Sequence, residues 1–122
     1  MNSMIKYADF DFVKNGQIAE LLKNIYIDFP FKQHEKNDNY RYWHELDKQL
    51  ANKLRINQDG FVTFYENELI GICYWIINDE KKFAKVLDNG ILKKHRAKGL
   101  GKSQILEMEK RIDKTIAKIC VT

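Results

Sequence analysis

The sequence predicts an α/β domain, a mainly antiparallel sheet flanked by helices, with elements in the order β-α-α-β-β-β-α-β. Three observations carry that prediction. Apolar residues recur at helical spacing from Ile18 to Leu54, change to strand-like runs after Gly60, and return to helical spacing after Gly101. The 122 residues, 44% hydrophobic and 31% charged, suit one domain spanning 1–122 with a real core. Seven Phe, six Tyr and two Trp beside a single Pro exclude disordered and collagen-like chains.

The first strand is expected over Ile5 to Phe12, with Ile5, Tyr7 and Phe10 turned inward. Ile18, Leu21, Leu22, Ile25 and Phe29 form the stripe of a first helix, which Pro30 closes because the residue before proline avoids the α region. Tyr40, Trp43, Leu46, Leu50 and Leu54 repeat that pattern in a second. After Gln58-Asp59-Gly60, the runs Phe61 to Tyr65 and Leu69 to Ile77 flank Glu66-Asn67-Glu68, a short Asn-containing loop that fits a hairpin. A second hairpin turns at residues 78–82 into Phe83 to Ile91. Ile105, Leu106, Met108, Ile112 and Ile116 mark a third helix, and Ala117 to Thr122 reads as a last strand.

The net charge of +4 is unevenly distributed. Residues 1–90 hold 12 basic and 14 acidic side chains, whereas residues 91–122 hold 9 and 3. The excess centres on Lys93 to Lys98 and points to a polyanion, either nucleic acid or the phosphates of a cofactor. Nucleic acid ranks behind, because no aromatic residues interleave with the basic run. Cys73 and Cys120 lie in apolar runs outside any CxxC pair, as reduced core thiols do, and the histidines have no metal-ligand spacing with them. No apolar run approaches the ~18 residues of a membrane span, and residues 1–6 do not read as a signal peptide. A soluble cytoplasmic protein with no metal is expected.

Arg96-Ala97-Lys98-Gly99-Leu100-Gly101 is the segment richest in chemistry. Two glycines let the backbone turn sharply and approach a ligand. The loop opens the third helix, whose first amides lack intrahelical acceptors, and Arg96, Lys98 and Lys102 add positive charge, so a phosphate suits this place. Gly101-Lys102-Ser103 also imitates the end of a P-loop, but Arg96 stands where its first glycine belongs.

Arg96-x-x-Gly99-x-Gly101, placed between a strand and an amphipathic helix, resembles motif A of the GNAT superfamily, the acyl-CoA-dependent N-acyltransferases. The upstream element order is similar too. The resemblance implies acetyl-CoA as co-substrate, an amine acceptor, and a pyrophosphate held by Arg96, Ala97, Lys98, Gly99, Leu100, Gly101 and Lys102, with Ser103 adjacent. It implies that pantetheine pairs with the fourth strand near Ile91, Leu92 and Lys93, and that the Ile91 N–H polarises the thioester carbonyl. Gly90 is expected to bulge that strand and open a slot for the ligand.

Two departures from the family pattern stand out. Lys85 occupies the position of the usual strand glutamate, leaving Asp88 as the one carboxylate on the strand and the candidate base. The family's further helix, hairpin and tyrosine acid have no counterpart before Thr122. The domain is therefore expected to be truncated after its fifth strand, completed by a homo-oligomeric partner, or reduced to a non-catalytic CoA-binding module. The acceptor site is expected over residues 29–43, with Asp28, Glu35 and Asp38 attracting a cationic amine and Tyr40, Tyr42 and Trp43 offering aromatic surface.

Overall fold

A computed structural model describes residues 4–51, 58–78, 83–112 and 118–120. Its elements are β1 (Ile5–Ala8), α1 (Gln17–Ile25), α2 (Gln33–Ala51), β2 (Gln58–Tyr65), β3 (Glu68–Asn78), β4 (Phe83–Ile91), α3 (Leu100–Ile112) and β5 (Lys118–Cys120). The five strands form one sheet in the order β1-β2-β3-β4-β5, antiparallel through β4 and parallel between β4 and β5. The predicted order holds. Leu54, Ile116 and the turn at residues 79–82 lie outside the described residues.

Several boundaries move, each for a local reason. β1 stops at Ala8, and Phe10–Phe12 coils into a short 3-10 turn that drops Phe10 into the core. α1 ends at Ile25, ahead of Phe29, which is 44% exposed and packs on Tyr26 and Phe31. α2 begins at Gln33, earlier than its apolar stripe suggests, because Glu35 Oε1 accepts the Lys32 amide at 2.9 Å and caps the first turn. Gln58-Asp59-Gly60 belongs to β2, paired with Ile76, Trp75 and Tyr74. The β2–β3 loop is only Glu66-Asn67, both left-handed (φ 50° and 69°), the conformation a two-residue hairpin with matching twist requires.

The sheet separates two cores. On one face Ile18, Leu21, Leu22 and Ile25 of α1 and Leu46 and Leu50 of α2 pack on Val62, Ile72 and Tyr74. On the other, Met108 and Ile112 of α3 cover Phe61, Cys73, Trp75, Ala84 and Val86. Each fully buried aliphatic side chain contributes roughly 1.5–3 kcal/mol. The Cys73 thiol behaves as the sequence suggests: burial pushes it up to about 12 and keeps it protonated. α1 starts at a left-handed Gly16 with no cap of its own, and Asp47 of α2 supplies one. Its carboxylate accepts the Gly16 and Ala19 amides at 2.9 and 2.8 Å. Among the described residues no helix is long and apolar enough to cross a membrane.

Candidate functional site

The site is built where β4 changes its facing. Tyr74 of β3 pairs with Asp88 and Trp75 with Val86, so Leu87 is an extra residue in β4. This bulge lies three positions ahead of the expected one at Gly90. Its consequence is a change of parity. Before it, Ala84 and Val86 face α3; after it, Asn89 and Ile91 face α3, while Asp88 and Gly90 face α1. Among the described residues, β5 pairs with Phe83, Ala84 and Lys85, all before the bulge.

The backbone beyond the bulge has an outward-facing row. The Leu92 amide donates to Ile70 O at 2.8 Å, which makes Leu92 and Ile70 a hydrogen-bonded pair. By the alternation of an antiparallel ladder, the N–H and C=O of Ile91, and of Asn89 two residues earlier, turn away from β3. Among the described residues no strand meets them there. The Leu92 amide, expected near the ligand, is engaged with Ile70, whereas the Ile91 amide turns away from β3.

The glycine loop closes one end of this edge. Ala97 (φ 66°) and Gly99 (φ 76°) are both left-handed, and the first intrahelical bond runs from the Ser103 amide to Gly99 O at 3.0 Å. The amides ahead of it, through Lys102, gather into a concave turn at the positive end of α3. A Cβ added at Gly101 would meet nothing within 4 Å, so space lies open over the helix start. Ser103 departs from the expectation: its amide is engaged within α3 and its hydroxyl pairs with Tyr7.

The basic run is largely matched within the protein. Arg96 reaches along the cleft wall: its Nε donates to Ile91 O at 3.0 Å, its Nη2 to Ile25 O, and Asp28 lies 3.7 Å away. It ties the end of α1 to the end of β4 and so holds the loop in place. Lys93 reaches Asp28 at 3.6 Å, and Lys94 and the buried His95 both reach Glu68. These two partners hold the Glu68 carboxyl below its ordinary range. Lys98 and Lys102 are exposed, and neither pairs with a carboxylate among the described residues.

Asp88 is drawn in, not solvent-facing. Its Oδ1 accepts the Tyr26 hydroxyl at 2.7 Å and would lie 3.4 Å from a Cβ at Gly90. Burial raises its carboxyl above the ordinary range, and the bonds from Tyr26 and the Asn89 backbone only partly offset this. Burial and the Asp88 charge raise the Tyr26 hydroxyl too, so it remains a donor. Tyr74 is buried beside this pair, and burial together with Tyr42 raises its hydroxyl. Lys85 is exposed and stays apart from this group. Ile25, Tyr26, Gly90, Ile91, Ala97 and Gly101 enclose a cleft of about 440 Å³ that joins the outward Ile91 edge to the glycine loop.

Two contributors carry no signal in residue spacing. Tyr26, at the C-cap of α1, supplies the hydroxyl on Asp88. Gln104, fully buried in α3, accepts the Thr63 hydroxyl at 2.7 Å and donates toward Ile72 O, Asn89 Oδ1 and Gly90 O. It fits because Gly71 has no side chain; a Cβ there would lie 2.2 Å from its Oε1. This amide clamps α3 to the β4 segment that carries the cleft.

The fold is that of the GNAT superfamily, as solved structures show. No family model and no curated protein matches the chain. A protein from Staphylococcus aureus subsp. aureus, assigned to the GNAT acetyltransferases, is similar over 98% of this chain and 99% of its own, with TM-score 0.62 and 15% identity. A GCN5-related N-acetyltransferase from Ralstonia eutropha JMP134 matches over 97% and 81%, with TM-score 0.71 and 12% identity. The PaiA N-acetyltransferase from Thermoplasma acidophilum, solved in complex with coenzyme A, matches over 91% and 73%, with TM-score 0.66 and 18% identity.

Proposed function

We propose that the chain is an N-acetyltransferase that moves an acetyl group from acetyl-CoA directly to a primary amine. The observation that carries this reading is the outward Ile91 amide in a cleft that ends at the left-handed Ala97–Gly99 turn and the start of α3. Acetyl-CoA supplies the acetyl group as an activated thioester. The residues fit it: the loop amides from Ala97 to Lys102 receive the pyrophosphate, and Lys98 and Lys102 add charge. The outward groups of Asn89 and the Ile91 amide pair with the pantetheine arm as a strand would, while the Ile91 carbonyl is held by Arg96. Solved neighbours with coenzyme A bound support this cofactor class.

Direct transfer needs a neutral amine, a polarised thioester and a proton for the leaving thiolate. The Ile91 N–H donates to the carbonyl oxygen where negative charge develops. Tyr26 Oη, in the cleft wall, accepts a proton from the amine as it passes its own to Asp88 Oδ1. The C–N bond forms, the C–S bond breaks, and the same pair returns the proton to the thiolate. A carboxyl raised by burial is suited to hold that proton between the two transfers.

Isothermal titration with acetyl-CoA tests the reading. Binding is expected in the native chain and is expected to collapse in Gly101→Asp, which sets a carboxylate in the open space at the loop. Because that position has room, the variant should melt with the native protein. Absence of binding at millimolar acetyl-CoA would overturn the assignment. Binding without thiol release against a broad amine panel would leave a non-catalytic CoA-binding module.

A further inference from the structure

The carboxylates expected to attract a cationic acceptor are all engaged elsewhere. Asp28 meets Lys93 and Arg96, Glu35 caps α2, and Asp38 pairs with Arg41. On the far side of Tyr26 from the cofactor cleft lies a second cavity, about 290 Å³, between the end of α1 and the first turns of α2. Its aromatic walls are Tyr26, Phe31, Tyr40 and Trp43, and its charged groups are Lys23 and Lys36. The Tyr26 and Trp43 rings stack at 5.7 Å, and Lys23 Nζ stands 5.3 Å from the centre of the Tyr40 ring. Both lysines are exposed, and neither has a carboxylate partner among the described residues.

We infer that this aromatic pocket is the acceptor subsite, and that its ligand is a small amine with a flat apolar body and a carboxylate at the far end. The inference rests on the acetyltransferase reading and names its substrate class. Three features of the pocket select this chemistry. Its rings offer apolar faces and its charges are both positive, so they attract a carboxylate and repel a polycation. Its volume lies near the lower end of the roughly 300–1,000 Å³ of small-ligand sites, enough for one ring with substituents and too small for an oligosaccharide. Tyr26 walls both cavities, so an amine leaving the pocket at that residue arrives beside the hydroxyl that contacts Asp88.

Three one-ring probes separate the alternatives: 4-(aminomethyl)benzoate, benzylamine and 1,4-bis(aminomethyl)benzene, titrated by calorimetry with Trp43 fluorescence as a second signal. The benzoate is expected to bind about tenfold more tightly than benzylamine, with the diamine weakest. In Lys23→Glu/Lys36→Glu the order should reverse, while acetyl-CoA binding stays as in the native chain. In Gly101→Asp the benzoate should still bind although acetyl-CoA does not. A diamine that binds as well as the benzoate, an order that survives charge reversal, or no benzoate binding at millimolar concentration would each overturn the subsite. Failure of acetyl-CoA to bind the native chain would instead overturn the acetyltransferase reading, so the two failures are told apart.

Discussion

The two halves of β4 share one neighbour and differ in everything else. Phe83 to Val86 is closed: β3 lies on one side, β5 pairs with its first three residues on the other, and Met108 and Ile112 cover its α3 face. Asp88 to Ile91 keeps β3 but, among the described residues, leaves its outer edge to the cleft, and it carries the half-buried carboxylate, the outward amide and the partners of the Gln104 clamp. One extra residue, Leu87, separates them. A strand satisfied on both edges supports a fold but cannot receive a ligand through its backbone, whereas one freed on a single edge can. The closed half holds the strand in place while the open half is left able to receive a ligand.

Deleting Leu87 breaks the distinction most directly, and its effect should be the largest. Without the bulge Val86 still pairs with Trp75 and Asp88 with Tyr74, so residues 88–91 keep their facings, but the local bend of β4 is lost and the cleft along its outer edge narrows. Acetyl-CoA binding and amine-dependent thiol release should both be lost, while thermal unfolding should shift less than in a core truncation, because the register and the core facings are kept. A protein that melts normally with its cleft chemistry intact would show that the bulge does not organise the site.

Asp88→Asn should separate function from stability in the open half. Loss of the proton acceptor is expected to lower turnover by about 10²–10⁴ while acetyl-CoA affinity is unchanged. Stability should move the other way. The folded-state pKa of Asp88 is raised, so its contribution is fully present below the unfolded pKa and is lost as pH rises through the folded one. At neutral pH a neutral isostere avoids that loss, and the variant should melt no lower than the native chain. The rising limb of activity with pH, set above the ordinary carboxylate range, should disappear with the carboxylate.

Met108→Ala probes the closed half. The side chain is fully buried, and its removal should cost about 2–5 kcal/mol in denaturant unfolding. Well below the melting temperature, acetyl-CoA affinity should stay within a factor of about two, because the β4 residues in the Met108 cluster, Ala84 and Val86, belong to the closed half. A loss of affinity as large as that of Gly101→Asp would mean the two halves are not separable.

The contrast between the halves also marks how far sequence reasoning reaches. Periodicity found the order of the described strands and α-helices, though not the 3-10 turn at Phe10–Phe12, because it reports burial, and burial is what the closed half is for. The glycine loop was legible because left-handed backbone selects glycine, yet Ala97 takes the same conformation and gives no such sign. The charge excess over residues 93–98 was read as a phosphate cradle, and much of it instead meets Asp28, Glu68 and backbone carbonyls. Those partners lie far away in sequence, so counting charges could not reveal them. Tyr26 looked like one more residue at a helix end, and Gln104 like a polar interruption of a stripe. Both contribute through contacts across the sheet that no local pattern encodes.

Tyr26→Phe gives the smallest effect and the sharpest reading of the open half. The ring keeps its stacking on Trp43 and its edge contact with Phe29, so only the hydroxyl is lost. One hydrogen bond of net value about 0.5–1.5 kcal/mol should leave the melting temperature nearly unchanged. Turnover should fall about tenfold, because a water can stand in for the hydroxyl between amine and carboxylate, with less favourable positioning. The pH profile discriminates further. The Tyr26 bond lowers the Asp88 pKa against the effect of burial, so its removal should raise that pKa and move the rising limb to higher pH. If the two groups act as one path, adding Tyr26→Phe to Asp88→Asn should cost almost nothing more. Additive losses, or an unmoved pH limb, would place Tyr26 in the cleft wall without a part in proton transfer.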